Sequence, residues 1–311
     1  MRLALPSIVR QVLPALPPGV EATWYQGPRD CPAAVAGAEV LWLAFFGRSA
    51  IEAALNAGTG LRWVFTWGAG MDRQPLELYR ERGIVLTNGS GLVAVPIAEF
   101  LVMAMLAAAK RLPDLVRAQD RREWLGAPPG RGELYGSRAL VLGYGDIGRA
   151  VAQRLRGFGV DVTGARRRPA GEPGVIGPDD WRPRLGEFDW IVVTVASTRA
   201  TRHLIGASEL AAMRRTAWIL NVTRGWVIEQ EALLDALRAG RLGGAYLDVT
   251  DPEPLPSDSE LWRLPNVIVT PHVSWATERL PERAAELFLD NLERYRAGGE
   301  LRNRVDLDTG Y

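Results

Sequence analysis

One βαβ pattern at residues 138–166 constrains this chain more than any other stretch. An apolar run at 139–142 leads directly into the glycine-rich segment 143–148, which reads Gly-Tyr-Gly-Asp-Ile-Gly. Apolar residues then recur at helical spacing over 149–158, and a second apolar stretch follows at 160–165. Strand, tight glycine turn, helix and strand in this order are typical of a dinucleotide-binding crossover. An ordinary glycine turn is the alternative.

Each glycine of the turn has a distinct predicted role. Gly143 permits the turn, Gly145 removes a Cβ where a pyrophosphate would approach, and Gly148 lets the helix pack close to the strand. The first helical residues, Asp146 and Ile147, belong to a helix N-terminus whose free N–H groups and partial positive charge favour phosphate. The sequence therefore predicts a cofactor site at these five residues.

The end of the second strand predicts which dinucleotide binds. An NAD site usually has an acidic residue about 20 positions after the first glycine, on the ribose hydroxyl. Here the chain has Arg166 and Arg167 and no acid. A guanidinium pairs with a 2′-phosphate that a carboxylate would repel. We predict NADP(H) over NAD(H), with NAD still possible; a solvated charge run is the alternative.

Composition narrows the classes of partner. The chain has 311 residues, enough for two domains, and its 37 basic and 36 acidic side chains give a formal charge of +1. That balance provides no long-range field for nucleic acid or an anionic membrane. The apolar part of residues 1–14 is too short for a signal peptide, and no apolar run reaches the length of a membrane span.

Cysteine and histidine are scarce. Cys31 is the only cysteine, so no internal disulfide forms, which fits a reducing, cytoplasmic compartment. His203 and His272 are the only histidines, so a histidine-built metal centre is almost excluded and we expect no metal. Imidazole acid–base chemistry has only these two candidates.

The first 95 residues alternate short apolar strands with helical patterns, which predicts a small parallel α/β domain. After its strand at 61–66, a glycine-bearing loop at 67–72 lies where such sheets bind ligands, although a simple turn fits equally well. An apolar helix predicted over 95–111 is expected to stop at Pro113, and the polar stretch 117–131 ends in a loop.

Three polar residues follow predicted strands of the second domain: Arg224, Glu253 and His272. Reduction of a 2-oxo acid needs an anchor for the carboxylate, a proton for the carbonyl oxygen and a hydride for its carbon. Arginine is an always-charged bidentate anchor, histidine donates a proton near neutral pH, and a carboxylate on the other ring nitrogen fixes the tautomer. Taken singly, each is equally compatible with a surface pair or a satisfied loop residue.

The chain resembles the D-isomer-specific 2-hydroxyacid dehydrogenases over nearly its whole length. The matching stretches are GYGDIG at 143–148, the segment 198–237, GAYLDVTDPEPLP at 244–256 and NVIVTPHVSWAT at 266–277. The resemblance implies that Arg224, Glu253 and His272 are catalytic, and that Arg224 and His272 also contact the substrate. It further implies cofactor contacts from Thr223 and Asp248, and a substrate-carboxylate loop at Ala69 and Gly70.

By the same resemblance, we expect two doubly wound parallel-sheet domains. Residues 1–95 plus 283–311 form a flavodoxin-like substrate domain, and 96–282 a Rossmann NADP-binding domain, in an enzyme that is usually a homodimer. The arginine-rich strand end looks most like NADPH-dependent glyoxylate/hydroxypyruvate reductases, and the absence of an added regulatory domain argues against the long phosphoglycerate enzymes.

Two other functions stay open. One is a nucleotide-sensing, corepressor-like binding protein, and the other is a formate- or phosphite-type dehydrogenase of the same fold. The substrate side chain and the direction of reaction also stay open. Trp67, Trp226 and Trp275 lie beside the predicted site segments, where they either pack or shape an unusual pocket.

Overall fold

The computed structural model describes residues 1–44, 46–169 and 171–310. The chain divides into two compact units, Met1–Val93 with Thr277–Tyr311, and Ala94–Ala276. These divisions fall two and six residues before the predicted boundaries at 95/96 and 282/283. A long helix starts at the beginning of the second unit, and the whole of the last helix packs within the core of the first, so the breaks precede both helices.

The strands and helices are numbered in chain order. The strands are β1 (Arg2–Pro6), β2 (Glu21–Tyr25), β3 (Val40–Leu43), β4 (Trp63–Thr66), β5 (Val85–Thr87), β6 (Arg138–Leu142), β7 (Asp161–Ala165), β8 (Val175–Ile176), β9 (Trp190–Val193), β10 (Trp218–Asn221), β11 (Gly244–Leu247) and β12 (Val267–Val269). The helices are α1 (Cys31–Val35), α2 (Arg48–Ala57), α3 (Leu76–Glu81), α4 (Ala94–Lys110), α5 (Leu112–Asp120), α6 (Asp146–Gly157), α7 (Ala207–Ala212), α8 (Gln230–Arg238) and α9 (Leu280–Arg296).

The first unit is a five-stranded parallel sheet in the order β2-β1-β3-β4-β5. Strands β3 and β4 are buried along their whole length, as expected of a parallel sheet covered on both faces. Helix α9 covers one face through Phe288, whose ring lies 4.7 Å from that of Trp42 and 5.2 Å from that of Trp63. The apolar run at 40–45 predicts a strand that ends at Phe45, and this last residue lies outside the described residues.

The second unit is a seven-stranded parallel sheet in the order β12-β11-β10-β9-β6-β7-β8. The chain runs outward from β6 through β7 and β8, then returns to β9 on the other side of β6. This reversal between β6 and β9 is the topological switch point at which doubly wound sheets bind ligands. Both sheets therefore confirm the predicted α/β class.

The prediction for Pro113 was wrong. Pro113 does not stop a helix but lies in the first turn of α5, which begins directly after Arg111. Proline is tolerated there because the first N–H groups of a helix have no intrahelical acceptor. The break comes from Arg111, whose left-handed backbone (φ 51°) ends α4. In the described part of the chain, no helix has the length and apolarity needed to cross a membrane.

Candidate active site

The glycine turn connects β6 to α6 at the switch point. Gly143 has φ +97°, and a Cβ there would lie 2.4 Å from the carbonyl oxygen of Thr194. A Cβ on Gly148 would lie 2.3 Å from the oxygen of Gly143. By contrast, a Cβ on Gly145 would meet open space. Close backbone contacts therefore require glycine at 143 and 148. Gly145 has no such contact, and its lack of a side chain keeps the N-terminus of the helix accessible.

Thr194, at the end of β9, holds this turn in place. Its Oγ1 donates to the carbonyl oxygen of Gly143 at 2.7 Å and lies 3.2 Å from that of Leu142. Asp146 is exposed at the first position of α6, and Ile147 is half-buried beside it. The open approach at Gly145 and the N-terminus of α6 behind it fit a dinucleotide pyrophosphate.

Arg166 is the first residue after β7, at the position where an NAD site has its acid. Its backbone N–H donates to Ile176 of β8 at 3.1 Å, which fixes the start of the arginine run. Arg166 is half-buried and Arg167 is exposed. The structure therefore places both residues at the carboxyl end of β7.

A second group of polar residues follows the adjacent strands β10, β11 and β12. Arg224 lies three residues after β10, Asp248 directly after β11, and His272 three residues after β12. Because these strands are parallel neighbours, their loops emerge at one edge of the sheet. The sequence-predicted residues of the second unit are brought to that edge.

His272 and Glu253 form a direct pair. Nδ1 of His272 lies 3.1 Å from both Oε1 and Oε2 of Glu253. Each side chain is about one-third exposed. Because a carboxylate only accepts hydrogen bonds, this contact keeps a proton on Nδ1 and orients the ring. Nε2 is then the ring nitrogen available to a substrate.

The backbone of His272 is held in the left-handed region at φ 54°, which is uncommon for a residue with a side chain. Its N–H donates to the carbonyl of Asp248 at 2.8 Å, and its carbonyl accepts from Nε1 of Trp275 at 2.8 Å. Bonds on both sides of the residue offset the cost of this conformation.

The buried carboxylate of Asp248 holds the loop 270–274, which carries His272. It is 1% exposed, and its Oδ1 accepts from Thr270 Oγ1 at 2.5 Å and from the N–H of Val273 at 3.0 Å. Its Oδ2 accepts from the N–H of Ser274 at 3.0 Å. Three donors satisfy this buried carboxylate. The predicted nicotinamide contact of Asp248 stays a prediction; the structure shows it supporting the loop of His272.

A buried tyrosine extends this network. The hydroxyl of Tyr246 lies 2.8 Å from Thr270 Oγ1, whose own proton goes to Asp248. Tyr246 therefore donates to Thr270. Burial raises the pKa of Tyr246 far above its usual range, so its hydroxyl stays a donor at any working pH.

Asn221, the last residue of β10, shapes the arginine loop. It is 1% exposed, its Oδ1 accepts from the N–H and the hydroxyl of Thr223 at 3.0 Å each, and its Nδ2 donates to the carbonyl of Arg224 at 2.9 Å. The Thr223 hydroxyl, predicted as a cofactor contact, is thus bonded to Asn221. Arg224 Nη1 donates to the carbonyl of Thr223 at 2.7 Å.

Gly225 brings the arginine loop against the glutamate loop. A Cβ on Gly225 would lie 2.0 Å from the carbonyl carbon of Thr250 and 2.5 Å from the backbone nitrogen of Asp251. Only glycine allows such an approach of two backbones. The contact fixes the position of Arg224 relative to the segment that carries Glu253.

Sequence reasoning missed Thr194, Asn221 and Thr270 as organisers of these loops. The one available signal was a polar residue placed directly at the end of an apolar strand, as in Asn221. His203, the other candidate for imidazole chemistry, is exposed.

In the first unit, the predicted substrate loop follows β4. Ala69 and Gly70 are exposed, and the carbonyl of Ala69 accepts from Asn88 Nδ2 at 3.3 Å. Trp67 is 5% exposed and packs in the core of this unit. In the second unit, Trp226 is half-buried against the core and Trp275 is 40% exposed.

Comparison with known proteins gives the class. Residues 102–274 match the D-isomer specific 2-hydroxyacid dehydrogenase NAD binding domain. The chain is 33% identical to the glyoxylate reductase of Korarchaeum cryptofilum over 78% of its own length and 75% of that protein. It is 34% identical to the D-3-phosphoglycerate dehydrogenase of Methanocaldococcus jannaschii over 77% of its length, but this alignment spans only 46% of that longer relative.

Solved structures agree. A D-isomer specific 2-hydroxyacid dehydrogenase of Xanthobacter autotrophicus, in complex with NADPH and MES, is 29% identical with a TM-score of 0.81 over 100% of this chain and 99% of that one. An NADPH-dependent glyoxylate/hydroxypyruvate reductase of Sinorhizobium meliloti, in complex with NADP and malonate, is 26% identical with a TM-score of 0.80 over 99% and 98%. The fold and site define a two-unit nicotinamide-dinucleotide oxidoreductase. The chain belongs to the D-isomer specific 2-hydroxyacid dehydrogenase family.

Proposed function

We propose that this chain reduces a small 2-oxo acid of the glyoxylate or hydroxypyruvate class with NADPH, using His272 as the proton donor. The observation that carries the proposal is the pair in which Nδ1 of His272 faces both oxygens of Glu253 at 3.1 Å. This pair fixes the tautomer and orients Nε2, which is what a general acid requires.

Arg224 has the complementary role. Its guanidinium binds the substrate carboxylate and polarises the adjacent carbonyl, because it is always charged and offers two parallel donors. As the carbonyl oxygen gains negative charge, Nε2 of His272 delivers its proton there. Glu253 keeps the ring oriented throughout, and Nε2 of His272 regains a proton from solvent after the reaction. Ala69 and Gly70 of the first unit are proposed as further contacts for the substrate.

The cofactor, when bound, supplies a hydride from its reduced nicotinamide. For this chain we propose the turn Gly143–Gly148 as the pyrophosphate site, with Arg166 and Arg167 pairing with the 2′-phosphate of NADPH. The open approach at Gly145 supports the first assignment. The two related proteins solved with NADPH or NADP support the second. Thr223 and Asp248 are proposed as contacts on the nicotinamide side.

The test is a steady-state assay that follows the reduced-nicotinamide absorbance with glyoxylate, hydroxypyruvate, pyruvate and bulkier 2-oxo acids. Each substrate is run with NADPH and with NADH. Turnover that is faster with NADPH on the small acids supports the proposal. If no acid is turned over while NADPH still binds, the proposal is contradicted and a nucleotide-sensing protein is favoured.

We also propose a homodimer formed through the second unit. Helices α4 and α5 and the segment after them expose a run of large apolar side chains, namely Met103, Leu112, Leu115, Val116 and Trp124. Exposed apolar patches of this kind mark association surfaces. In sedimentation velocity, the wild type should run as a dimer and Val116→Glu as a monomer. Trp262→Ser, which removes an equally exposed ring elsewhere, should stay dimeric; a monomeric wild type contradicts the proposal.

A cytoplasmic location is proposed on the single buried thiol of Cys31, since a protein without disulfides suits a reducing compartment. Cell fractionation with an antibody to the chain tests it, and recovery outside the cytoplasmic fraction contradicts it.

A further inference from the structure

Backbone hydrogen bonds hold the described part of the connection between β7 and β8. The chain leaves β7 at Arg166, turns through Glu172 and returns as β8, whose residue Val175 pairs with Gly164. The N–H of Glu172 donates to the carbonyl of Pro169 at 3.1 Å, and the N–H of Val175 donates to the carbonyl of Glu172 at 3.1 Å. These bonds hold Glu172 close to the start of β8.

The carboxylate of Glu172 meets the helix through Arg149. Its Oε1 accepts from Arg149 Nη1 at 2.5 Å, and the two side chains are 32% and 44% exposed. This pair joins the loop that carries the arginine run to the helix that begins at the glycine turn.

Two arginines contact Tyr144, close to the end of β7. This residue of the glycine turn is 2% exposed, and its ring packs so closely on β7 that a Cβ on Gly164 would lie 2.3 Å from it. The guanidinium of Arg149 lies 5.2 Å from the ring centre, and Arg156 Nη2 donates to the tyrosine hydroxyl at 3.1 Å. Arg149 and Arg156 therefore lie beside the end of β7 where Arg166 begins the loop.

Glu172 lies in the field of all three arginines. Its hydrogen bond with Arg149 lowers the pKa of the carboxyl most, and the charges of Arg149, Arg166 and Arg156 lower it further. Glu172 is therefore ionised at neutral pH. Its negative charge offsets part of the positive charge of Arg166, the residue to which the proposed function assigns the 2′-phosphate.

We propose that Glu172 is a specificity-determining residue that weakens binding of the 2′-phosphate and so narrows the preference for NADPH over NADH. The inference rests on the proposed function, since it assumes that Arg166 binds that phosphate. The reason is Coulombic: a carboxylate that is bonded to Arg149, on the loop that begins at Arg166, repels a phosphate dianion bound at Arg166. The neutral ribose hydroxyl of NADH does not experience this repulsion.

The experiment compares wild type with Glu172→Gln, which removes the charge and keeps the side-chain shape. The probes are adenosine 2′,5′-bisphosphate and adenosine 5′-monophosphate, titrated by calorimetry into the full chain at low and high salt. Glu187→Gln is the matched control. Glu187 is likewise a partly exposed carboxylate paired with arginine, here with Arg184 and Arg138, but it precedes β9 at the amino-terminal edge of the same sheet.

We expect Glu172→Gln to bind the bisphosphate about three- to tenfold more tightly at low salt and to bind the monophosphate as wild type does. The gain should shrink at high salt, because mobile ions screen exposed charges. Glu172→Ala should show the same gain, which separates the effect of the charge from that of the amide. Glu187→Gln should change neither affinity.

Two failures are distinguishable. If wild type binds the bisphosphate no better than the monophosphate, the proposed preference for NADPH is wrong whatever Glu172 does. If wild type does prefer the bisphosphate but Glu172→Gln binds it equally or more weakly, the preference stands and the role of Glu172 is overturned; Glu172 would then only anchor the loop.

Discussion

Nδ1 of His272 lies 3.1 Å from both oxygens of Glu253, and the backbone of the same histidine is bonded to Asp248 and Trp275. The ring and the main chain are therefore fixed independently. An acid that must present one nitrogen to a substrate benefits from both restraints, since neither rotation nor tautomer exchange is needed before proton transfer.

Replacement of the histidine should remove the acid and leave cofactor binding intact. We expect His272→Gln to lower kcat for 2-oxo acid reduction by about 10²–10⁴-fold, the usual contribution of a positioned general acid. Its affinity for NADPH, measured by fluorescence titration, should be close to that of wild type. His203→Gln, at the exposed histidine, should keep full activity. A His272→Gln enzyme with near-normal turnover would show that the proton comes from elsewhere.

Removal of the carboxylate should lower turnover. In Glu253→Gln, an NH2 group replaces one of the two oxygens that face Nδ1, so the ring of His272 is held less firmly in its orientation. We expect kcat for reduction to fall by about 10- to 100-fold, the cost of a misplaced catalytic group. Glu260→Gln, at an exposed pair with Arg238, is the control and should keep full activity. A Glu253→Gln enzyme as fast as wild type would argue against the pair.

Asp248 should matter for stability as well as for activity. In Asp248→Asn, an NH2 group replaces one of the two carboxylate oxygens. That group cannot accept hydrogen bonds, although the carboxylate accepts them from the backbone N–H groups of Val273 and Ser274 in wild type. We expect a loss of about 2 kcal/mol in the free energy of unfolding of the second unit. Urea denaturation followed by tryptophan fluorescence measures it. Asp258→Asn, at an exposed residue of the neighbouring loop, should leave the midpoint unchanged; an equal midpoint in both variants would contradict the assigned role.

Gly225 should tolerate no side chain. Gly225→Ala would place a Cβ 2.0 Å from the carbonyl carbon of Thr250, so the arginine loop must shift. A displacement near 1 Å of a substrate anchor costs about 10²-fold in turnover, which we expect for kcat/KM. Gly157→Ala is the matched control, since a Cβ there meets open space at the end of α6. The idea fails if both variants retain full activity.

Cys31 should be unreactive in the folded protein. Burial, with a smaller effect from Asp30, raises the pKa of the Cys31 thiol to about 12. The thiolate is therefore scarce at pH 8, and the side chain is fully buried. Ellman's reagent should react with one thiol in denaturant and almost none without it. Between the unfolded and folded pKa values the folded state holds the extra proton, so the free energy of unfolding should decrease as pH rises. Rapid native labelling would refute this.

The sequence predicted the second unit well where the signal is local. The strand, glycine turn and helix of β6 and α6 can be predicted from apolar periodicity and three glycines alone. Both signals lie among residues that are close in the sequence. The polar residues after β10, β11 and β12 were equally visible, because parallel strands must end at one edge. Their convergence follows from topology, without knowledge of side-chain contacts.

Other features depend on residues far apart in the chain. Thr194 bonds the turn at Gly143 across 51 positions, and Thr270 bonds Asp248 across 22. No local pattern identifies such partners. The stop assigned to Pro113 failed for a related reason, since proline ends one helix or opens another according to the conformation of the residue before it. Glu172 was missed because a loop residue acquires meaning only when the loop folds back on Arg149.

Arg224, Glu253 and His272 come from three separate loops, each following its own strand of one rigid sheet. An insertion in any of these loops leaves strand pairing untouched, but the contact of Gly225 with Thr250 and the pair of His272 with Glu253 link the three loops to one another. Laboratory evolution of this scaffold should therefore vary the three loops together to select new substrates, while the strands keep the framework intact.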